Sequence, residues 1–154
     1  MSDAPQDALK KRALALLGRR AMSRRELVDK LAEKGEDAEA AEIVADWLEE
    51  MRFLNDADYA AQVVEHYGAK GYGRRRVEQE LWRRGVPKDL WDAALEALPE
   101  GTEELDRYLA QKLRGTLPDR KEEKRAADAL LRRGYNWEQI AAGIERYKES
   151  LEEE

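Results

Sequence analysis

The sequence predicts an all-α fold: three tandem three-helix repeats stacked into an elongated molecule with scope for curvature. Three observations support it. First, one phrase is written three times, as SRRELVDKLAEKG at Ser23–Gly35, GRRRVEQELWRRG at Gly73–Gly85 and EEKRAADALLRRG at Glu122–Gly134. The closing glycines lie 50 and 49 residues apart, and a leucine (Leu31, Leu81, Leu130) stands four residues before each. A smaller or branched apolar residue (Leu27, Val77, Ala126) stands four before that leucine. A repeat of this period signals stacked supersecondary units. Second, nearly every segment has a helical period, and none alternates as a solvated strand does. Third, each group of roughly fifty residues is too small to bury a comfortable core alone, so stacking must supply the missing burial. The expected repeats are residues 5–51, 52–98 and 101–149.

The first repeat opens with a helix over about Pro5–Leu17, its apolar stripe being Leu9, Ala13 and Leu16 or Leu17. Ser23 starts the second helix, and Glu26 completes a capping box that satisfies two free amides. Gly35 ends it, because glycine accepts the left-handed backbone that closes a helix. A third helix, about Asp37–Met51, buries Ile43, Trp47 and Leu48. In the second repeat Asn55 caps a helix with Asp58 in its first turn, and Tyr59, Val63 and Tyr67 share one face. Gly71-Tyr72-Gly73 turns the chain into a helix carrying Arg74–Arg84. Gly85 and Pro87 mark the next boundary, before a helix with Leu90, Trp91, Ala94 and Leu95. Leu98-Pro99-Glu100-Gly101 separates the second and third repeats. Leu105, Leu109 and Leu113 line the next helix, and Ala126, Leu130 and Leu131 the one that ends at Gly134. Asn136 with Gln139 caps the last, which carries Ile140, Ile144 and Tyr147. Pro5 and the charged tail after Tyr147 are expected to fray. The repeated leucines and Trp47, Trp91 and Trp137 are core candidates. Trp82 follows a core leucine among charges, where it either anchors a partner or seals a neighbouring repeat.

Charged residues make up 40% of the chain and aromatic ones 7%, so the surface is heavily solvated and the core is mostly Leu, Ala and Val. The absence of cysteine excludes disulfides, thiolate chemistry and cysteine-based zinc sites, and fits a reducing compartment. No run approaches the length of a membrane span, and the start MSDAPQDALKK lacks a signal peptide's apolar stretch. A cytoplasmic location is expected. The net charge of −6 argues against a large non-specific affinity for DNA, but its distribution is uneven. Residues 1–35 carry nine basic and five acidic side chains, residues 36–65 one and ten, and residues 66–92 seven and four. Such blocks either solvate their own helices or form basic and acidic stripes on a folded surface.

Catalytic chemistry finds little footing. His66 is the only histidine, and at a helix end it reads as a hydrogen-bonding residue. Asp56 and Asp58 fall in a first helical turn, where capping and the helix dipole explain them. There is no GxxxxGK[ST] loop, and Gly68, Gly71 and Gly73 make no dinucleotide fingerprint. No cofactor, metal or enzymatic activity is expected.

The residues that ask for a partner are basic. Lys70, Arg74, Arg75 and Arg76 surround the Gly71-Tyr72-Gly73 turn, and Arg83 and Arg84 finish the following helix. Positive charge in a first helical turn opposes the dipole, which hints that Arg74 and Arg75 answer to something outside. A phosphate meeting helix amides and guanidinium groups together, or a partner's carboxylate, would serve. Arg19, Arg20, Arg24 and Arg25 repeat the arrangement. Lys121, Lys124 and Arg125 do so weakly, diluted by Glu122 and Glu123.

Phe53-Leu54-Asn55-Asp56 and Tyr59-Ala60 with Lys70-Gly71 resemble the central signature of the bacterial regulatory protein RecX family. Gly73-Arg74-Arg75-Arg76-Val77, Leu81 and Arg84-Gly85-Val86 continue it in order. Leu14, Leu17, Arg19-Arg20, Ser23-Arg24-Arg25-Glu26-Leu27 and Leu31 resemble its first repeat, and Arg132-Arg133-Gly134-Tyr135 with Ile140 its third. The resemblance implies an all-helical, non-enzymatic modulator of the RecA recombinase, usually an inhibitor. It would lodge in the groove of the RecA filament on single-stranded DNA and dampen strand exchange, ATPase and coprotease activity in DNA repair and SOS regulation. Some members also touch DNA, which leaves room for a weak direct contact. Carried over by position, the contact face comprises Lys70, Tyr72, Arg74, Arg75 and Arg84, with Arg24 and Arg25 beside it. Nothing demands a dimer, so a monomer is expected. The competing reading is a helical module that binds DNA directly through its basic repeat corners, as a helix-turn-helix does.

Overall fold

The computed structural model of the protein describes residues 4–33 and 37–153. Among them are nine α-helices and no strand: α1 (Ala4–Arg19), α2 (Arg24–Ala32), α3 (Ala38–Glu50), α4 (Asp56–Ala69), α5 (Arg74–Arg83), α6 (Trp91–Leu95), α7 (Thr102–Leu113), α8 (Arg120–Arg132) and α9 (Trp137–Glu152). A 3₁₀ turn, Lys88–Leu90, leads into α6. Two compact units result. One is drawn from the chain up to Gln62 together with Leu81–Ala94, the other from Val63–Glu80 together with the chain from Leu95 onward. The divisions fall inside α4, α5 and α6, not in loops.

In the first unit α1, α2 and α3 close around Leu9, Ala13, Leu27, Leu31, Val44 and Leu48, all buried. Ser23 caps α2 with the expected box: its side chain accepts from the Glu26 amide, and Glu26 answers the Ser23 amide. The expected stop at Gly35 lies outside the described residues. On α3 the buried stripe is Ala41, Val44, Ala45 and Leu48, at the i, i+3, i+4, i+7 spacing of one helical face. Ile43 falls off that stripe and is 44% exposed, against the expectation that it is core. Trp47 borders the stripe, half-buried, with the Lys10 ammonium 4.5 Å from its ring centroid.

The second unit is centred on α7, α8 and α9, which bury Leu105, Leu109, Leu113, Ala126, Leu130, Ile140, Ile144 and Tyr147. Gly143 lets α9 press on α7, since a Cβ there would sit 2.2 Å from Leu105 Cδ2. Two expectations fail here. The tail after Tyr147 does not fray: Leu151 extends the Ile144–Tyr147 face and packs on the core, and Lys148 pairs with Glu123 at 3.1 Å. Trp137 is 60% exposed, because it opens α9 ahead of the buried stripe that begins at Ile140. The expected helix around Leu90–Leu95 is also short, a 3₁₀ turn plus α6, with Leu90 and Trp91 only half-buried.

Two glycine turns fix where helices meet. In the first unit α5 runs out through Arg84 to Gly85 (φ +76°), and the Val86 amide reaches back to the Leu81 carbonyl at 3.0 Å. This is a Schellman closure. The Arg84 carbonyl accepts from the Ser23 hydroxyl at the start of α2, and a Cβ on Gly85 would meet Arg25 Cβ at 2.7 Å. The second unit repeats this with α8. Gly134 (φ +103°) closes it, Tyr135 N–H reaches Leu130 at 3.1 Å, and the turn lies against the start of α5. There Gly73 N–H donates to Arg133 O at 2.7 Å and Arg75 N–H to Gly134 O at 3.2 Å.

Gly134 and Gly115 therefore separate backbone strain from close approach. Both have positive φ, but a Cβ on Gly115 meets nothing within 4 Å, whereas on Gly134 it would lie 2.5 Å from the Arg76 amide nitrogen. Gly115→Ala should cost about 1–2 kcal/mol. Gly134→Ala should exceed it by at least about 1 kcal/mol, since backbone cannot move aside as a side chain does. Urea denaturation of both variants measures the difference; equal losses would mean that the contact gives way freely. Leu81, fully buried, should cost about 2–5 kcal/mol as Leu81→Ala, read in the same experiment.

Candidate partner-binding site

The expected site residues divide between the units. Arg24, Arg25 and Arg84 belong to the first; Lys70, Tyr72, Arg74 and Arg75 belong to the second.

In the first unit Arg24 sits in the first turn of α2, facing the acidic face of α3. Its guanidinium pairs with Glu42 and Asp46 at 2.8 Å each and also with Glu49, and its backbone amide donates to Asp56 at 2.7 Å. Burial works against the charged guanidinium, but the bonds to Glu42 and Asp46 and the field of Glu49 outweigh it and hold its pKa above the ordinary arginine value. Three carboxylates of the acidic block at residues 36–65 thus share one internal counter-charge. Arg25, one residue on, is exposed and lies 3.9 Å from Asp29. Arg84 is half-buried and donates to the Tyr59 hydroxyl at 2.8 Å. Burial, first, and Glu26 raise the Tyr59 pKa, with Arg84 opposing.

In the second unit the Gly71-Tyr72-Gly73 turn is held from below. The buried Tyr135 hydroxyl donates to the Gly71 carbonyl at 2.6 Å. Tyr72 stands between two cations, with Arg76 at 5.4 Å and Arg133 at 5.3 Å from its ring, while Arg133 also approaches Tyr108 at 5.5 Å. Such contacts contribute about 0.5–1 kcal/mol each at exposed positions. Lys70, Arg74 and Arg75 are exposed around this stack, Arg74 lying 3.4 Å from Glu78. Two amides at the α5 start are already bonded, Gly73 to Arg133 and Arg75 to Gly134, so a phosphate there would find fewer backbone donors. What remains for recognition there is side-chain charge.

Other features were less legible. The short-range signal Asp119-x-x-Glu122 marks a capping box on α8 that sequence reading passed over, and it gives Glu122 a structural role. His66 is exposed, its ring edge-on to Tyr67 at 5.2 Å. Among the described residues no three His, Cys, Asp or Glu side chains converge to hold a metal ion, and no helix is long and apolar enough to cross a membrane.

Comparison with known proteins picks out two three-helix segments. Residues 10–48 match the sequence family described as RecX, first three-helix domain, and residues 55–95 match RecX, second three-helix domain. The chain is 40% identical over 136 residues to the regulatory protein RecX of Leptothrix cholodnii, covering 88% of this chain and 86% of that one. It is 34% identical over 143 residues to the regulatory protein RecX of Vibrio campbellii, covering 92% of each. The crystal structure of RecX from Lactobacillus salivarius superposes with a TM-score of 0.79 at 19% identity, over 93% of this chain and 96% of that one, a likeness of fold.

Tyr135 offers a test of how the turn is held. Burial pushes its phenol above the ordinary range, with Arg133 opposing and Glu104 assisting. Unfolded tyrosine ionises near pH 10, so the stability this raised pKa adds is complete below about pH 10 and is lost as pH rises through the folded value. Tyr135→Phe should cost about 1–3 kcal/mol, because the Gly71 carbonyl loses its donor, and should make the alkaline fall in stability shallower. Denaturation curves at neutral and alkaline pH read both effects; an unchanged alkaline slope would move the titration to another group.

Proposed function

Because the chain belongs to the RecX family, we propose that it lodges in the groove of a RecA filament on single-stranded DNA and inhibits RecA. As a member of that family it is a regulatory protein with a role in RecA control, not an enzyme. The finer reading is that it lowers strand exchange, ATPase and coprotease activity, and so acts in DNA repair and the SOS response. The observation that carries this reading is the extent of the likeness, which runs along roughly nine-tenths of this chain and of its relatives instead of through one shared motif. Three small repeats of similar plan also suit a target that is itself periodic, because several weak contacts on one body raise apparent affinity.

The contact surfaces in this reading lie one on each unit: exposed Lys70, Arg74 and Arg75 with Tyr72 on one, and exposed Arg25 with half-buried Arg84 on the other. Arg24 contributes by holding α2 in place, since three carboxylates already surround it. Guanidinium groups can bind carboxylates of a protein partner by side chain alone, and the bonded Gly73 and Arg75 amides leave less backbone to share a phosphate. The direct DNA reading is weakened by the same geometry. A recognition helix reads bases with its first residues, and the starts of α2 and α5 lie against the Arg84-Gly85 and Arg133-Gly134 turns.

Binding should be measured to the RecA filament on single-stranded DNA, to free RecA and to bare DNA, at low and moderate salt. Selective filament binding that persists at moderate salt is expected. Arg74→Glu with Arg75→Glu should weaken it by roughly tenfold or more while leaving helix content intact. Equal binding to bare DNA, lost steeply as salt rises, would favour the direct reading, and undiminished filament binding by the double variant would remove this corner from the contact face.

A further inference from the structure

The second unit carries a small pocket of about 130 Å³ where the turn after α4 meets α7 and the end of α8. Lys70, Arg107, Arg133 and Glu104 supply its charges, and Tyr108 lines it beside them. The volume is well below the roughly 300–1,000 Å³ of sites that enclose a whole small molecule. The pocket has room for one compact group.

Charge decides which group. Glu104 is the one carboxylate among the residues that line the pocket, and it is paired with Arg107 at 2.8 Å. Lys70 and Arg133 have no carboxylate partner among the described residues. Two positive charges are therefore unmatched. Arg133 is also held in place: it is half-buried, the rings of Tyr72 and Tyr108 stand 5.3 and 5.5 Å from its guanidinium, and one N–H donates to the Lys70 carbonyl at 3.4 Å. Its other side-chain N–H groups have no protein acceptor, and the Tyr108 hydroxyl has no protein partner, among the described residues. A positioned guanidinium with free N–H groups is a fork for an oxyanion.

We propose that this pocket binds a single dianionic phosphate group, either the free ion or the terminal group of a small ester, with its oxygens on Arg133 and Lys70. A carboxylate or a phosphodiester brings one charge and two free oxygens, and leaves one of the two cations unmatched. A terminal phosphate carries about −1.5 to −2 at pH 7 with three acceptor oxygens. It answers both cations and has an oxygen left for the Tyr108 hydroxyl. The site is made of side chains and draws on none of the α5 amides, and the proposal stands apart from the filament reading.

The test uses the full chain and no recombinase, so it cannot fail merely because the filament reading fails. Inorganic phosphate, methyl phosphate, dimethyl phosphate and acetate are titrated at constant ionic strength into the isotope-labelled protein, followed by NMR. Saturable shifts centred on Gly71, Tyr108 and Arg133 are expected with inorganic phosphate, at a Kd of about 1 mM. Tighter binding of methyl phosphate would identify the ester-borne group as the ligand, and weaker binding the free ion. Arg133→Gln and Lys70→Gln should each weaken phosphate binding by about tenfold, the loss of one hydrogen bond to a charged group. Lys70 is exposed, so its variant guards against a loss that comes only from disturbing the tyrosines around Arg133. Glu104→Gln should tighten binding by about threefold, a gain that misfolding cannot mimic. No saturation well above the expected Kd would overturn the proposal. So would equal binding of acetate or dimethyl phosphate, unchanged affinity in Lys70→Gln, or weaker binding by Glu104→Gln. Tighter binding of an oligothymidylate at the same residues would give the pocket to a nucleic-acid strand instead.

Discussion

The structure depends on helix ends docking on helix starts at two glycine turns. Gly134 brings its carbonyl within hydrogen-bond distance of the Arg75 amide, and Gly73 offers its own amide to Arg133. A Cβ on either glycine would collide with main-chain atoms at about 2.5 Å. Gly85 does the equivalent against the Arg25 stem and the Ser23 cap. A helix start needs acceptors and a helix end needs donors, so an end docked on a start satisfies part of both. This is why the second and third copies of the phrase end in glycine, at Gly85 and Gly134.

Charge is arranged around that frame. The acidic residues of α3 converge on Arg24, so the uneven blocks along the chain fold into a local ion-pair network. Glu122, which dilutes the third basic corner in sequence, is a cap. Arg133 is shared between two tyrosine rings and the Lys70 carbonyl. Arg24 and Arg133 are thereby engaged within the fold, while Lys70, Arg74 and Arg75 stay exposed beside the Gly71–Gly73 turn.

Local rules made much of this legible. Capping boxes at Ser23 and Asn136, the Asn55 cap and the 3.6-residue stripes through Leu105 and Ile140 are set by neighbours a few positions apart, so they can be read along the chain. What could not be read depends on distant partners. Ile43 and Trp137 are apolar enough for a core but lie off or ahead of the buried stripe. Leu151 looked like tail until its contact with the core was placed. Among the expected site residues, Arg24 and Arg25 are indistinguishable in sequence, yet one faces three carboxylates and the other faces solvent. Side-chain direction, decided by a single step of 100° around α2, separates them.

The start of α8 differs from that of α5 in one respect. α5 begins at a glycine, with no side chain to cap its own amides, and borrows carbonyls from the Arg133-Gly134 turn. α8 begins at Asp119, which closes a reciprocal box with Glu122 at 2.8 and 3.1 Å and needs nothing from elsewhere. One start takes its acceptors from another turn; the other supplies its own, as α2 does with the Ser23–Glu26 box while its Ser23 hydroxyl still reaches the Arg84 carbonyl.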